Sequence, residues 1–309
     1  MFILLTPMRN EADQIDELVR CVTGSKFRPD LWLIIDDCSD DRTPQKLSAL
    51  AREYDFVRIH RIAERASYMG YHISEILING LKQVQAELQQ ARYVGVLDAD
   101  IRFGPSYWQR LKEYLDRNPK AGIVSGTLCA KDDQGRWKIE PFQRVDNPRG
   151  GLRLVKKACF DDIGGIRRSR AWDPVMNVKA RVRGWQVAVL PDVFAASSRA
   201  TDARFTTAEG EFSRGQRDYH LHHPAHQIVV RAVAKALKKR PSAGWHYLKG
   251  YFSEWKTGGR RFPDDDVRRY YRRERTREWL RTIVSLLTGK ENPHRFIPVR
   301  IVTEDEIFR

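Results

Sequence analysis

The sequence predicts an α/β protein with a doubly wound, mostly parallel sheet, helices on both faces, and a basic helical C-terminal extension. Short apolar runs alternate with helical segments over the first 125 residues, which is the pattern of βαβ units. Lys and Arg then dominate, with 17 of them against six Asp and Glu between residues 231 and 290. We therefore expect a main domain over residues 1–225 and an amphipathic extension over residues 226–309.

The first half of the main domain, residues 1–125, reads as four strands separated by helices. The strands are "FILLTP", "LWLIIDD", "FVRIHRI" and "RYVGVLDAD". Helical spacing of apolar residues marks "NEADQIDELVRCVTG", residues 44–53 and "SEILINGLKQVQAELQQA". Residues 126–225 form a more irregular second half. Ligands of such sheets bind outside the carboxyl ends of the strands, and three polar clusters, "TPMRNE", "DDCSDD" and "DAD", follow strands there.

Composition narrows the kinds of partner and the cellular compartment expected for the protein. Apolar residues make up 41% of the 309 residues, enough for a large core, and the net charge of +15 favours an anionic partner such as nucleic acid, a membrane surface or a phosphorylated substrate. The four cysteines form no C-x-x-C pair, which disfavours a zinc site or disulfide framework and fits a reducing compartment. No apolar run approaches the ~20 residues of a membrane-spanning helix. We expect a cytoplasmic protein.

Two carboxylates at the end of the fourth apolar strand need an explanation. Asp98 and Asp100 are separated by one residue, so on a strand they would project from the same face. Like charges at that spacing repel, and each becomes costly when it loses water. The sequence therefore predicts a positive group between them, unless the segment is a solvated turn.

Taken together, the clusters resemble the inverting glycosyltransferases of family two, of the bacterial non-processive type, with the GT-A fold, over about residues 2–200. "TPMRNEAD" is similar to the family's P-x-x-N-E segment, which implies that Pro7, Met8, Asn10 and Glu11 line the nucleotide pocket. An alternative is that Asn10 simply caps a helix. "IIDDCSDDRT" is similar to D-D-x-S-x-D-x-T, which implies that Asp37 accepts a hydrogen bond from the base.

Two further motifs resemble the family's metal-binding and catalytic segments. Asp98 and Asp100 resemble the family's D-x-D: Asp100 would ligate Mg²⁺ or Mn²⁺, and Asp98 would contact the ribose or the metal through water. Hard cations prefer carboxylate oxygens and offset the charge of a leaving diphosphate. "GGIRRSRAWDPVMNVKARVRGW" resembles the family's catalytic segment, with Asp173 as general base and Lys179 and Gly184 at its Arg and Gly positions. One carboxylate suffices for a single displacement with inversion.

Several positions depart from the family pattern. Trp172 stands where many relatives carry Glu, and Val175 where a second Asp is frequent. Ser197 stands where a histidine often completes the metal site. Three histidines in "DYHLHHP" could replace it, unless they form a surface cluster: His220, His222 and His223. No Q-x-x-R-W motif is present, which disfavours a processive synthase.

The extension carries three segments with apolar and basic residues at helical spacing. Their apolar positions are Ala232, Val233, Ala236 and Leu237, then Trp245, Leu248, Phe252 and Trp255, then Trp279, Ile283 and Leu286. Basic residues beside Trp-rich faces are typical of helices at a membrane interface, which predicts docking on the anionic inner face of the cell membrane. Packing on the main domain with snorkelling Lys and Arg is the alternative.

The resemblance implies a metal-dependent transferase that moves a sugar from a UDP, GDP or TDP donor to a saccharide or lipid-linked acceptor, in cell-surface polysaccharide or glycolipid biosynthesis. Three alternatives stay open at this point. A haloacid-dehalogenase-like phosphatase would use Asp98 as nucleophile. A nucleotidyltransferase would need a Gly-rich phosphate loop, and none is found near residue 10. A nucleic-acid-binding protein would use the basic extension but leave the acidic motifs idle.

Overall fold

The computed structural model describes residues 1–64, 70–197, 207–238, 240–288 and 296–309. The side chains of residues 207, 238, 279 and 282–287 are not described. The chain divides into two compact units. The first holds Met1–Arg168, Trp172–Ala200 and Arg295–Arg309, and the second holds Ser169–Ala171 and Thr201–His294.

One sheet organises the first unit. Its strands are β1 Phe2–Met8, β2 Leu31–Asp36, β3 Val57–Arg61, β4 Tyr93–Leu97, β5 Ile101–Phe103, β6 Ala121–Lys131, β7 Trp137–Ile139, β8 Leu152–Lys156 and β9 Gln186–Ser197. They lie in the order β3-β2-β1-β4-β8-β6-β9-β5, with β7 beside β6. The first four strands are parallel, as predicted. In the second half β8 runs antiparallel between β4 and β6, whereas β6 and β9 are parallel.

Helices cover both faces of this sheet. They are α1 Ile15–Thr23, α2 Thr43–Glu53, α3 His72–Lys82, α4 Gln85–Gln90, α5 Tyr107–Arg117, α6 Lys157–Asp162 and α7 Trp172–Val182. The helical character predicted over "SEILINGLKQVQAELQQA" is confirmed, but in two helices: α3 and α4 are separate, because Val84 leaves helical geometry (φ −129°, ψ 32°) with its side chain fully buried.

The core explains the apolar runs of the strands. Phe2 and Leu4 pack with α1 and α5 on one face of the sheet, while Ile3 and Leu5 pack with α3 on the other. Successive side chains of a strand point to opposite faces, so a strand covered on both sides must be apolar throughout. The predicted doubly wound architecture is therefore confirmed.

The last described residues return to the first unit. Ile297, Val302 and Ile307 are buried together against the sheet. Residue 301 forms an antiparallel bridge with Lys138, and the short helix Glu304–Phe308 ends beside Gly104, whose N–H donates to the Ile307 carbonyl at 3.1 Å.

The second unit is helical. It contains α8 Thr207–His220, α9 Ala225–Lys238, α10 Pro241–Lys256, α11 Asp265–Arg269, a π-helical turn Tyr270–Glu274 and α12 Arg275–Thr288. Its core joins α8, α9 and α10 through Tyr219, Ile228, Ala232, Tyr247 and Tyr251. Among the helices described here, none combines the length and apolar character needed to span a bilayer.

The predicted surface histidine cluster was wrong, because all three rings are buried in this second unit. His220 Nδ1 lies 2.9 Å from the Arg260 carbonyl, and His222 Nε2 lies 2.8 Å from the Phe262 carbonyl. Burial lowers the pKa of His223 to about 3, so its ring is neutral at physiological pH. The rings of His220 and His222 thus hold the end of α8 and the turn after it against residues 260–262, whereas His223 contacts Gln227.

Helix α9 turns two of its basic side chains, Arg231 and Lys235, toward buried carboxylates of α8, an orientation that the sequence pattern left open. Lys235 pairs with buried Glu211 at 2.6 Å, and Arg231 pairs with buried Asp218 at 2.7 Å. Of the predicted apolar face, Ala232 is buried, whereas Val233 and Leu237 are exposed. Seven large apolar side chains of α9 and α10 face outward: Val229, Val230, Val233, Leu237, Trp245, Phe252 and Trp255. The predictions for Trp279, Ile283 and Leu286 fall on side chains outside the described set.

Candidate active site

Hydrogen bonds tie together the loops that follow β1 and β2. Asn10, at a positive φ of 51° that asparagine tolerates, donates its N–H to Ser39 Oγ at 3.0 Å. Its side-chain amide donates to Asp40 Oδ1 at 2.6 Å and accepts the Asp40 N–H at 3.0 Å. The N–H of Glu11 donates to Thr43 Oγ1 at 2.9 Å. The first two predicted motifs therefore form one structure, and Asn10 is engaged in holding it.

Asp37 emerges beside β1 as a buried carboxylate. Pro7 and Met8 end that strand, and the Met8 carbonyl accepts the Asp37 N–H at 2.9 Å. Asp37 Oδ2 lies 2.6 Å from Nε2 of His72, the first residue of α3. Among the described residues, neither Asp37 Oδ1 nor His72 Nδ1 has a hydrogen-bond partner, although both are buried. An unpaired buried oxygen is costly, so this one is suited to accept an N–H from a ligand.

Asp98 and Asp100 lie on a turn after β4, not on the strand as predicted. The Asp98 N–H still donates to the Gly151 carbonyl of the neighbouring chain segment at 2.8 Å, and the chain then turns, because the Asp98 carbonyl accepts the Ile101 N–H at 3.1 Å. Both side chains are half-buried. Asp100 Oδ2 accepts a hydrogen bond from Ser197 Oγ at 3.1 Å, so the residue at the family's histidine position does reach the acidic pair.

The acidic pair fits a magnesium-type cation better than a metal held by protein alone. No group of three or more His, Cys, Asp and Glu side chains converges on one point within the described ranges. Mg²⁺ is commonly bound through one or two carboxylates, waters and substrate phosphates, and Asp98 and Asp100 provide two carboxylates in a half-exposed turn. The residues present therefore suit a cation that arrives with a diphosphate.

The backbone of Gly150 and Gly151 lies close to Asp98 and to Asp173. A Cβ on Gly151 would lie 1.9 Å from Asp98 Oδ2. A Cβ on Gly150 would lie 2.7 Å from Trp172 Cζ2 and 3.2 Å from Asp173 Cβ. Only a chain without side chains fits at both positions. The Gly150–Gly151 segment thus has the acidic pair's Asp98 and the predicted base Asp173 as its two neighbours.

Asp173 lies in the first turn of α7, half-exposed, where the positive end of the helix dipole favours a carboxylate. Lys179 is buried later in the same helix. Gly184 adopts a φ of +84° just beyond it, and the neighbouring Trp185 N–H donates back to the Ala180 carbonyl at 2.9 Å. At the Gly184 position the chain therefore needs glycine to end the helix.

Arg153 is the main residue that sequence reasoning missed. It lies in β8, fully buried, and its guanidinium carbon is 5.1 Å from the centroid of the Trp172 ring. Burial lowers the pKa of Arg153 to about 10 against the attraction of Asp173 and Asp98, so the side chain stays charged at neutral pH. Arg153 thus adds a fixed positive charge on the Asp98 side, and the group predicted between Asp98 and Asp100 stays a prediction. The signal of Arg153 was an arginine inside the apolar run "LRLV".

Replacing Gly151 by Ala is expected to displace the Asp98 carboxylate. Overpacking of this kind costs about 1–3 kcal/mol of folding free energy and should also weaken binding of Mn²⁺ together with UDP. Thermal unfolding and titration calorimetry measure the two effects. The matched control is Gly135→Ala, where the added methyl meets nothing within 4 Å and only the positive φ of 76° is strained. If Gly151→Ala and Gly135→Ala behave alike, the close approach has no role in the site.

Known proteins resemble this chain in sequence over the same region. Residues 3–171 match the pattern of the family described as Glycosyl transferase family 2. A beta-monoglucosyldiacylglycerol synthase of Trichormus variabilis is 21% identical over 208 residues, covering 60% of this chain and 42% of that protein. The protein of the same name from Synechocystis sp. is 23% identical over 207 residues, covering 60% and 41%. The chain thus spans about two fifths of the length of these curated relatives.

Solved structures extend the likeness to the fold. TarS of S. aureus (residues 1–349, in complex with UDP-GlcNAc) superposes with a TM-score of 0.55 at 14% identity, over 100% of this chain and 99% of that one. A mannosyltransferase of Pyrobaculum calidifontis, in complex with GDP-Man and Mn²⁺, gives 0.53 at 17% identity, over 83% and 75%. These likenesses confirm the predicted GT-A fold. Because the family pattern covers more than half of its length, the chain belongs to glycosyl transferase family 2 and is a glycosyltransferase.

Proposed function

We propose that the protein transfers a sugar from a nucleoside-diphosphate sugar to a saccharide or lipid-linked acceptor, with inversion and with the help of Mg²⁺ or Mn²⁺. One observation carries this proposal. The Gly150–Gly151 backbone contacts Asp98 on one side and Asp173 on the other, at the carboxyl edge of a sheet that also presents Asp37. A leaving-group site and a base site then flank the place where a sugar would lie.

In this proposal the nucleotide is held by the first two motifs. Asp37 Oδ1, buried and unpaired among the described residues, accepts an N–H of the base. Uracil, thymine and guanine each offer such a donor, which fits a UDP, TDP or GDP sugar. Pro7, Met8, Asn10 and Glu11 shape the pocket wall, and Asn10 does so by fixing the Asp40 loop.

Asp100 would hold the metal directly, and Asp98 would hold it or the ribose. When bound, the cation supplies positive charge that makes the diphosphate a better leaving group. Ser197 keeps the Asp100 carboxylate oriented through the 3.1 Å hydrogen bond. Asp173 takes the proton of the acceptor hydroxyl as that oxygen attacks the anomeric carbon.

A donor panel with product analysis tests this function. The protein is incubated with UDP-, GDP- and TDP-sugars with and without Mn²⁺, and release of the nucleoside diphosphate is followed. Water is the acceptor in this assay. We expect release from at least one donor, dependent on the metal, and a free sugar that NMR, recorded before mutarotation, shows in the anomeric configuration opposite to that of the donor. Retention of configuration would contradict a single displacement at Asp173. Family membership decides against the phosphatase alternative.

We further propose that the outward side chains of α9 and α10 dock on an anionic membrane, where a lipid-linked acceptor would be found. Leu237 is 83% exposed, Trp255 65% and Trp245 64%, which is unusual for such large apolar groups. Lys249 and Lys256 are exposed on α10 beside them. The only acidic residue in either helix, Glu254, is half-buried and 3.3 Å from Arg170. The outer surface therefore suits negatively charged lipid.

Replacing Leu237 and Trp245 together by Ser is expected to reduce binding to vesicles of phosphatidylcholine with phosphatidylglycerol by about tenfold or more, because two large apolar groups no longer enter the bilayer. Co-sedimentation measures it. Phe142→Ser, which removes a 70% exposed side chain from the first unit, is the matched control and should leave binding unchanged. Equal binding by all variants would contradict the docking surface. Salt-sensitive binding of a DNA duplex instead of vesicles would favour the nucleic-acid alternative.

A further inference from the structure

A charged side chain in the middle of the sheet is costly, and Arg153 is one. It lies between Leu152 and Leu154, both buried, with no exposed surface of its own. The desolvation penalty of such a group is several kcal/mol unless charges and hydrogen bonds compensate it. Compensation here is incomplete, because Nη1 has no hydrogen-bond partner in the part of the chain that the structure describes. Something other than packing must account for an arginine at this position.

Holding the preceding loop does not require a charge. Arg153 Nε donates to the Arg149 carbonyl at 2.9 Å and Nη2 to the Pro148 carbonyl at 2.6 Å. The neutral side chain of Asn177 performs the same task from α7, since its Nδ2 donates to that Pro148 carbonyl at 2.9 Å and to Asn147 Oδ1 at 3.1 Å. An amide can therefore tether the loop, and the positive charge of Arg153 is the property left unexplained.

The two carboxylates that attract Arg153 are those on either side of Gly150–Gly151. Arg153 is bonded to the residues just before those glycines, and its guanidinium lies beside the ring of Trp172, the residue before Asp173. Both carboxylates therefore lie on elements that contact Arg153 or its loop, and both attract its charge. The Trp172 ring lies beside the guanidinium and offers it a π face without forming an ion pair. A carboxylate at position 172 would instead compete for the same charge. Trp172 leaves that charge to Asp173 and Asp98.

We propose that Arg153 is a positioning residue whose buried positive charge holds the Asp98 and Asp173 carboxylates on the two sides of Gly150–Gly151. The charge offsets the repulsion between them, so that the metal motif and the base keep a fixed separation. Its effect on transfer rests on the proposed function; the electrostatic coupling among the three side chains does not.

Two substitutions separate charge from hydrogen bonding. Arg153→Lys keeps the charge but cannot make both guanidinium hydrogen bonds to the loop carbonyls. Arg153→Gln keeps an amide donor but has no charge. Their thermal unfolding is compared with that of Asp173→Asn and of the double variant Arg153→Gln with Asp173→Asn. We expect the melting temperature of the double variant to fall by less than the sum of the decreases in the two single variants. Once Asp173 is neutral, the loss of the Arg153 charge no longer removes an attraction between them. Strictly additive losses would overturn the proposal.

Folding of the variants does not limit this test. Should Arg153→Gln alone fail to fold, recovery of a folded protein in the double variant supports the proposal, and continued loss overturns it. Arg136→Gln, in the exposed turn between β6 and β7, is the matched control and should give no coupling with Asp173→Asn. The unfolding measurements require no nucleotide, so they distinguish failure of this proposal from failure of the proposed function.

Kinetics then test the consequence for transfer. Arg153→Gln is expected to lower kcat by about 10-fold to 100-fold, the usual penalty for a misplaced catalytic group, because Asp173 loses its fixed position, and to raise the KM for the donor as well, because Asp98 loses its own. Arg153→Lys should recover most of that loss. If Gln and Lys lower kcat equally, or if Gln raises only KM, the charge has no positioning role.

Discussion

Asp173→Asn is expected to lower the rate of sugar transfer by about 10²–10⁴-fold while nucleotide binding is kept, because the amide retains the shape of the carboxylate and cannot accept the acceptor's proton. The side chain lies half-exposed in the first turn of α7, and Gly150 separates it from the nucleotide-side carboxylate Asp98. Steady-state kinetics of donor turnover measure the transfer rate, and calorimetry measures the nucleotide affinity.

The control is Asp55→Asn. This exposed carboxylate lies in the turn between α2 and β3, and its substitution should leave the transfer rate and the nucleotide affinity unchanged. Turnover of Asp173→Asn at the wild-type rate would show that another group is the base. Loss of nucleotide binding along with turnover would show instead that Asp173 supports the fold of the pocket.

Asp100→Asn is expected to abolish the contribution of the metal to nucleotide affinity. The neutral amide is a much poorer ligand for a hard cation, and within the described ranges there is no third acidic or histidine side chain to replace it. Titration of UDP with and without Mn²⁺ should show a metal-dependent gain for the wild-type protein and none for the variant.

Asp133→Asn, in the exposed turn between β6 and β7, is the control and should keep the full metal effect. Ser197→Ala should weaken the effect only partly, because it removes the hydrogen bond to Asp100 Oδ2 and leaves the carboxylate in place. A variant Asp100→Asn that still gains affinity with Mn²⁺ would exclude this residue as the ligand.

Local patterns were enough to predict the first half of the fold. Continuous apolar runs such as residues 31–35 require cover on both faces, and alternation with helical segments implies parallel crossovers. Polar clusters directly after such runs then had to meet at one edge, and the Asn10–Asp40 hydrogen bonds show that two of them do. These are short-range consequences of strand geometry.

Contacts between distant segments could not be predicted in the same way. Gly151 meets Asp98 only because β8 inserts antiparallel next to β4, a pairing that no local periodicity reveals. His72 reaches Asp37 through the placement of α3 on the sheet, and no motif marks it. No motif marks the turn that the Ile101 N–H closes on the Asp98 carbonyl either, so a strand was predicted where the strand had ended.

The hydrophobic periodicity of the basic helices could not predict which face of each helix is buried, for a different reason. A helical pattern gives which residues share a face, but not which face is turned inward. In α9 the buried carboxylates of Glu211 and Asp218 draw Lys235 and Arg231 inward, and the valines are left outside. Those carboxylates come from α8, an element whose partners the sequence did not reveal.

The most direct test of the central claim is calorimetric titration of UDP, GDP and TDP into the wild-type protein, each with and without Mn²⁺. We predict that at least one nucleotide binds and that its affinity falls when the metal is removed. Absence of metal-dependent binding for all three would contradict the account of Asp98 and Asp100 as the site of the nucleotide's diphosphate and its metal.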